Sequence, residues 1–134
     1  MRTQPQEVIA KLEADNSRLA KEAILLSAMK EGLDEFFEGV RMCLDKLYTF
    51  GVKQVPEKDT VIQGQGCEWK IFKQLAEQLH RRELTGHAAR DAINLVMSSA
   101  TAEQWNGFYR RILIKDLRCG VSEKTVNSVA TKNK

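Results

Sequence analysis

The sequence predicts an all-α fold, a compact bundle of about six or seven helices with hairpin turns. Three observations lead to this fold class. The 134 residues are enough for one hydrophobic core. Glu, Lys, Ala and Leu are abundant, and only Pro5 and Pro56 interrupt the chain, which favours helix over a many-turned β fold. Apolar residues also recur every three or four positions, the period of a helix with one buried face.

The first half is expected to hold three helices. Pro5 suits the first turn of a helix, and the break at 15–17 precedes a second helix at about 18–30. Gly32 breaks the chain again before the clearest apolar pattern of this half. That pattern consists of Leu33, Phe36, Phe37, Val40, Leu44 and Leu47. Residues 49–67 contain three glycines and a proline, so they predict a long loop whose mobility and role stay open.

The second half is expected to hold the remaining helices. Apolar faces predict a helix near 67–82 and another after a cap at Thr85. A capping box, Thr-x-x-Gln at 101–104, predicts a helix to about Leu117, with Gly120 as its C-terminal stop. A short last helix at 123–130, capped by Ser122, would be followed by a disordered polar tail at 131–134. We thus expect residues 1–130 to form one domain.

The sequence lacks the common enzyme signatures. It has no Gly-rich phosphate loop, no nucleophile elbow and no His-Glu-x-x-His pair. His80 and His87 have no partners at a metal-ligand spacing, so we expect no metal site. Cys119, beside a basic residue, is a candidate nucleophile, but no histidine base lies near it in sequence, which favours an inert thiol. The carboxylates at 34, 35 and 38 are interpreted as a solvated helix face.

Location and assembly are inferred from simple features. No apolar run is long enough to span a membrane, and residues 1–7 do not resemble a signal peptide. Cys43, Cys67 and Cys119 are odd in number and far apart, which fits a reduced compartment. We therefore expect a cytoplasmic monomer with no membrane partner.

Charge and turn chemistry point to a polyanion. The formal net charge is −2 over residues 1–80 and +5 over residues 81–134. Residues 110–125 combine basic side chains, a glycine turn and a helix start, where free N–H groups and the helix dipole favour phosphate. Residues 81–87 repeat this arrangement. Both turns can equally be plain helix caps with solvated arginines.

The same segments resemble a known family. Ile-Leu-Ile-Lys-Asp-Leu-Arg-Cys-Gly-Val-Ser-Glu-Lys-Thr-Val at 112–126 resembles the end of the N-terminal DNA-binding domain of ATP-dependent DNA ligases. Arg-Arg-Glu-Leu-Thr-Gly-His-Ala-Ala at 81–89 is similar to the matching upstream element, best in bacteriophage-type ligases. Residues 8–13, 21–25 and 50–53 are similar to that subgroup too.

This resemblance implies an all-α domain that grips the minor groove of duplex or nicked DNA on both sides of a nick, through phosphates and without reading sequence. Together with Arg82 from the turn pattern, it gives the candidate DNA-binding residues. They are Arg82, Thr85, Gly86, His87, Arg118, Gly120, Ser122, Lys124 and Thr125.

One departure concerns catalysis. A ligase carries its nucleophilic lysine in a Lys-x-Asp-Gly motif, and this chain has none. We therefore expect no nick sealing by the chain alone and no cofactor within it; ATP and Mg²⁺ are implied for a full-length ligase, whose catalytic domain would be the partner in cis. Either an excised domain or a separate binding module fits. The alternative function is a helical protein–protein interaction module.

Overall fold

A computed structural model of the chain describes residues 3–52, 54–61 and 64–132. Within these ranges the backbone forms seven helices and no strand. They are α1 (Pro5–Ala14), α2 (Arg18–Glu31), α3 (Asp34–Leu44), α4 (Trp69–His80), α5 (Gly86–Ser99), α6 (residues 102–113) and α7 (Glu123–Lys132). The all-α fold class predicted from the sequence is confirmed.

Helix α6 begins as the sequence predicts. The Thr101 hydroxyl accepts the Gln104 N–H at 3.0 Å, and the Gln104 side chain accepts the Thr101 N–H at 3.1 Å, which completes the capping box. The helix is α-helical over Ala102–Gln104, π-helical over Trp105–Tyr109 and α-helical again over Arg110–Leu113. Three side chains of the π-helical segment are buried in the core: Trp105, Phe108 and Tyr109.

The core is built around α6. Helices α1 and α3 pack on it, α2 packs on α1 and α7, and α4 packs on α5. A Cβ atom at Gly39 would lie 2.5 Å from Phe108 Cζ and 2.8 Å from Ile112 Cδ1, so the glycine lets α3 approach α6 closely. Phe108 also stacks on Phe36, with ring centroids 6.1 Å apart. These apolar contacts fix α3 against α6 at the centre of the core.

The described part of the predicted 49–67 loop is tied to α6. Trp105 donates its indole N–H to the carbonyl of Pro56 at 2.8 Å, and Tyr109 donates its hydroxyl to the carbonyl of Cys67 at 2.7 Å. The Lys58 ammonium, 7% exposed, donates to the carbonyls of Met97 and Ser98 at the end of α5. These hydrogen bonds therefore fix the described part of the 49–67 loop against α6 and the end of α5. Lys53, Ile62 and Gln63 lie outside the described residues.

Two of the predicted helix ends are wrong. The apolar pattern predicts α3 as far as Leu47, but α3 ends at Leu44, and the Asp45 carboxylate accepts the Leu47 N–H in a turn that leaves Leu47 exposed. The prediction for α6 runs to about Leu117, with Gly120 as its stop, but α6 ends at Leu113. A lysine at 115 takes the left-handed position instead, with φ of 59°. Leu117 is still buried, which explains why periodicity alone predicts a longer helix.

The last helix, α7, begins where the sequence predicts and runs to Lys132 rather than ending near 130. Ser122 Oγ accepts the Thr125 N–H at 3.3 Å, which confirms the predicted cap. Residues 133 and 134 lie outside the described residues.

Candidate nucleic-acid interface

The first candidate element is the 82–87 turn (Arg82–His87), which joins α4 to α5. The N–H of Arg82 donates to the Leu79 carbonyl at 3.2 Å, and that of Glu83 donates to the Gln78 carbonyl at 2.9 Å. These two bonds form a Schellman motif, in which the left-handed position is usually glycine. Arg82 occupies it with φ of 61°, at a cost of about 1–2 kcal/mol relative to glycine.

Contacts of the Arg82 side chain explain this unusual choice. Its guanidinium donates to the carbonyls of Leu79 at 2.8 Å and Thr49 at 3.1 Å, and to the Thr49 hydroxyl at 3.1 Å. A Cβ atom at Gly51 would lie 3.0 Å from its Cζ. Arg82 thus fixes the segment that follows α3 although it is exposed. Contact between Arg82 and DNA stays a prediction. Some of the N–H donors of Arg82 already bind Leu79 and Thr49 within the protein.

The other residues of this turn face solvent. Thr85, Gly86 and His87 are all exposed, and a Cβ atom added at Gly86, where φ is +55°, would meet open space. Thr85 stands at the N-cap of α5, but its side chain makes no capping hydrogen bond. His87 Nδ1 lies 2.8 Å from the Arg90 guanidinium. The start of α5 therefore presents N–H groups to solvent, as an anion site requires.

The second element is the 118–125 turn (Arg118–Thr125), which leads into α7. Arg118 adopts φ of 54° and its side chain is 54% exposed, with Nε 3.6 Å from a carboxylate oxygen of Asp116. Gly120 is exposed and has φ of +71°. Surface ion pairs of this kind contribute little, so the Arg118 guanidinium is available to another anion.

At the start of α7 the predicted polar groups come together. Ser122 Oγ lies 3.2 Å from Thr125 Oγ1, and Lys124 is exposed between them in sequence. The structure thus places Arg118, Gly120, Ser122, Lys124 and Thr125 in one short turn and the first helical turn after it. That proximity follows from the sequence spacing, and contact with DNA stays a prediction.

Two basic side chains, Arg82 and Lys115, hold the end of α3 and the segment that follows it. On one side Arg82 binds Thr49, as described above. On the other side the Lys115 ammonium donates to the carbonyls of Met42, Asp45 and Tyr48. Desolvation in this position lowers the pKa of Lys115. Its charge is directed into the protein, and sequence reasoning gave no role to it.

A second lysine that sequence reasoning missed lies under the 118–125 turn. Lys21 of α2 is 9% exposed, and its ammonium donates to the carbonyls of Leu12, at 2.8 Å, and Cys119. A Cβ atom at Gly120 would lie 3.0 Å from its Nζ. One signal was present in the sequence: Lys21, Leu25 and Ala28 follow the i, i+4, i+7 spacing of the buried face.

The surroundings of the three cysteines disfavour a reactive thiolate. Cys43, Cys67 and Cys119 are all buried and free. Burial raises the pKa of each thiol, that of Cys43 to about 12. A nucleophilic cysteine needs a depressed pKa, so the structure favours the inert thiol for Cys119.

The Cys43 thiol predicts a specific loss of stability at high pH. In the unfolded chain a thiol ionises near its ordinary pKa of 9.0, whereas the buried thiol keeps its proton to about 12. The folded state therefore binds more protons above pH 9, and its stability falls as the pH rises. We expect the free energy of unfolding to fall by about 2 kcal/mol between about pH 8 and 10.5 from this group. Urea titrations of the parent and Cys43→Ala should differ in pH slope by that amount; equal slopes would contradict the assignment.

Side chains that could bind a metal ion do not cluster in the described ranges. No group of three or more His, Cys, Asp and Glu side chains there could hold a metal ion. Asp34 and Glu35 are exposed, and Glu38 pairs with Lys73 at 2.7 Å, a hydrogen bond that lowers the pKa of Glu38.

No helix in the described ranges combines the length and the apolar character needed to cross a bilayer.

Comparison with solved structures identifies a close relative. The structure titled "Pmar-Lig_Pre." matches 97% of this chain with a TM-score of 0.94 and 59% sequence identity. A second structure, "Pmar-Lig_PreS3", matches the same share with a TM-score of 0.94 and 60% identity. Pmar-Lig is a DNA ligase of Prochlorococcus marinus. No protein-family model and no curated protein matches the chain.

The match concerns a part of the ligase. The chain spans about 30% of the length of each of these solved chains. Nothing in the match distinguishes a bacteriophage subgroup, which stays a prediction. This identity and this agreement of the backbone confirm that the chain resembles the N-terminal region of a DNA ligase, as the segment at 112–126 predicts.

Proposed function

We propose that this domain binds duplex DNA through its phosphates, without reading the base sequence, and thereby positions a ligase on nicked DNA. The phosphates would lie along the minor groove, on the 82–87 and 118–125 turns. The observation that carries the proposal is the exposed start of α7, where Arg118, Lys124 and the Ser122 cap lie together in a chain that matches a ligase domain.

Electrostatics and backbone geometry support this surface. Helices α5 and α7 both start at an exposed turn, and the first N–H groups of a helix carry the positive end of its dipole. Basic side chains around such N–H groups bind phosphate oxygens without base contacts. The excess of positive charge over residues 81–134 acts in the same direction.

In this proposal the chemistry belongs to another part of the protein. The chain has no Lys-x-Asp-Gly lysine, so ATP and Mg²⁺ would act in a catalytic domain joined in cis. The domain would work as a monomeric clamp in the cytoplasm of a bacterial or phage-infected cell. Its contribution to sealing would be to hold the duplex rather than to react with it.

A binding titration tests this function. Labelled nicked and intact duplexes are titrated with the purified chain at about 50 and 200 mM salt. We expect binding to both duplexes, weaker at the higher salt by about tenfold or more, because phosphate contacts release counterions. Binding that is absent at low salt would contradict the proposal. A salt-insensitive apolar association would instead support the alternative of a protein–protein interaction module.

A further inference from the structure

Lys21 carries a buried charge with no counter-ion among the described residues. Its side chain is 9% exposed, and its ammonium donates to the carbonyl oxygens of Leu12 and Cys119. None of the ion pairs in the described ranges includes it. A buried ammonium is costly when only neutral groups surround it, and a nearby anion reduces that cost.

Gly120 lies next to this ammonium. A Cβ atom at that residue would lie 3.0 Å from Nζ and 3.5 Å from Cε of Lys21, so any other residue would place a carbon atom there. Gly120 itself is exposed. A lysine ammonium has three N–H donors, and two carbonyls accept from it here. One of the three donors therefore has no acceptor among the described residues.

We infer that Lys21 is a phosphate-binding residue of the 118–125 turn, with its ammonium under Gly120 as the counter-charge of a DNA phosphate. The inference rests on the proposed function and deepens it, because it adds a residue from α2 to a site otherwise built from one continuous segment. Lys21 also holds the Cys119 carbonyl, which orients the backbone that meets the phosphate. The ligand is a phosphodiester oxygen, so the contact is independent of base sequence.

Lys58 offers a matched control for a purely structural role. It is 7% exposed, and its ammonium also donates to two carbonyls, those of Met97 and Ser98. Those carbonyls lie at the C-terminal end of α5, whereas the 82–87 turn precedes its N-terminal end. Replacing either lysine by methionine removes a buried ammonium and keeps most of the volume, so a purely structural role affects both variants alike.

The experiment measures binding of nicked duplex by Lys21→Met and Lys58→Met over a range of salt, at a temperature at which circular dichroism shows both fully folded. We expect Lys21→Met to bind about tenfold more weakly than the parent, as for loss of a charged hydrogen bond. The slope of log K against log salt should also shrink by about 0.9, the value for one phosphate contact. Lys58→Met should keep the affinity and slope of the parent.

A second pair of variants serves if Lys21→Met does not fold. Gly120 and Gly32 both have positive φ, so Gly120→Ala and Gly32→Ala introduce similar backbone strain. Only the methyl group at 120 would contact the Lys21 ammonium, since nothing lies within 4 Å of a Cβ atom at Gly32, which ends α2 and belongs to neither candidate turn. We expect Gly120→Ala to shrink the salt slope as Lys21→Met does, and Gly32→Ala to leave it unchanged.

The outcomes separate this inference from the function on which it rests. If the parent shows no salt-sensitive DNA binding, the proposed function fails first. If the parent binds and folded Lys21→Met has its affinity and slope, the role of Lys21 is wrong while the function stands. Equal losses in the Lys21 and Lys58 variants would also overturn it, since they would show a structural effect only.

Discussion

Reversing the charge of Arg118 and Lys124 together is expected to weaken duplex binding about 100-fold at moderate salt, because two phosphate contacts are lost and replaced by repulsion. Both side chains are exposed, and neither belongs to the buried core. The double variant Arg118→Glu, Lys124→Glu should therefore unfold at nearly the same urea concentration as the parent. Fluorescence anisotropy with labelled nicked duplex gives the affinity, and circular dichroism in urea gives the stability.

The control changes the net charge equally at another place. Lys11 and Lys30 are residues of α1 and α2 and do not belong to either candidate turn. Lys11→Glu with Lys30→Glu should lower affinity by a few-fold at most, through the long-range field alone. If the two double variants bound equally well, or if the first bound as the parent does, the 118–125 turn would not be a DNA contact.

The largest loss of stability is expected from Trp105→Ala. The side chain is fully buried at 0% exposure in the π-helical turn of α6, and its indole N–H donates to the carbonyl of Pro56. Truncation leaves a large cavity and removes the hydrogen bond, with an expected cost of about 3–5 kcal/mol in the free energy of unfolding. Urea denaturation followed by circular dichroism measures it. For a domain of this size such a loss is a large part of the total stability.

Trp105→Phe separates the two contributions. Phenylalanine keeps most of the apolar volume but cannot donate to Pro56, so we expect a smaller cost of about 1–3 kcal/mol. The same variant should make the described part of the 49–67 loop more sensitive to a protease in the folded state, because one of its ties to α6 is removed. A loss below about 1 kcal/mol for Trp105→Ala would contradict the central position of this side chain.

Much of the fold could be predicted because its signals are local. The capping box at Thr101 and the apolar spacing in α3 depend on neighbours within a few residues, and both appear in the structure. The ends of α3 and α6 could not be predicted. Apolar periodicity continues through Leu47 and Leu117, whereas the backbone leaves the helix earlier, at the turn that follows Asp45 and at left-handed Lys115. A lysine in that position carries no sequence signal, because glycine is the residue expected there.

Local features of the candidate site could also be predicted, whereas its long-range contacts could not. The exposure of Arg118 and the Ser122 cap follow from a helix start that the sequence shows. The role of Lys21 depends on a contact across 98 residues of chain to the Cys119 carbonyl, and that of Arg82 on a contact to Thr49. Contacts between distant segments are set by tertiary packing, so a single sequence showed only basic residues and not which of them are turned inward.

The most direct test of the proposed DNA surface is to map amide chemical shifts of the isotope-labelled chain during titration with nicked duplex at low salt. We predict the largest shifts in both turns, at Thr85–His87 and at Arg118–Thr125, and small shifts around the buried Lys58. Large shifts that avoid both turns, with binding intact, would contradict the assignment of the two turns as the DNA-binding surface.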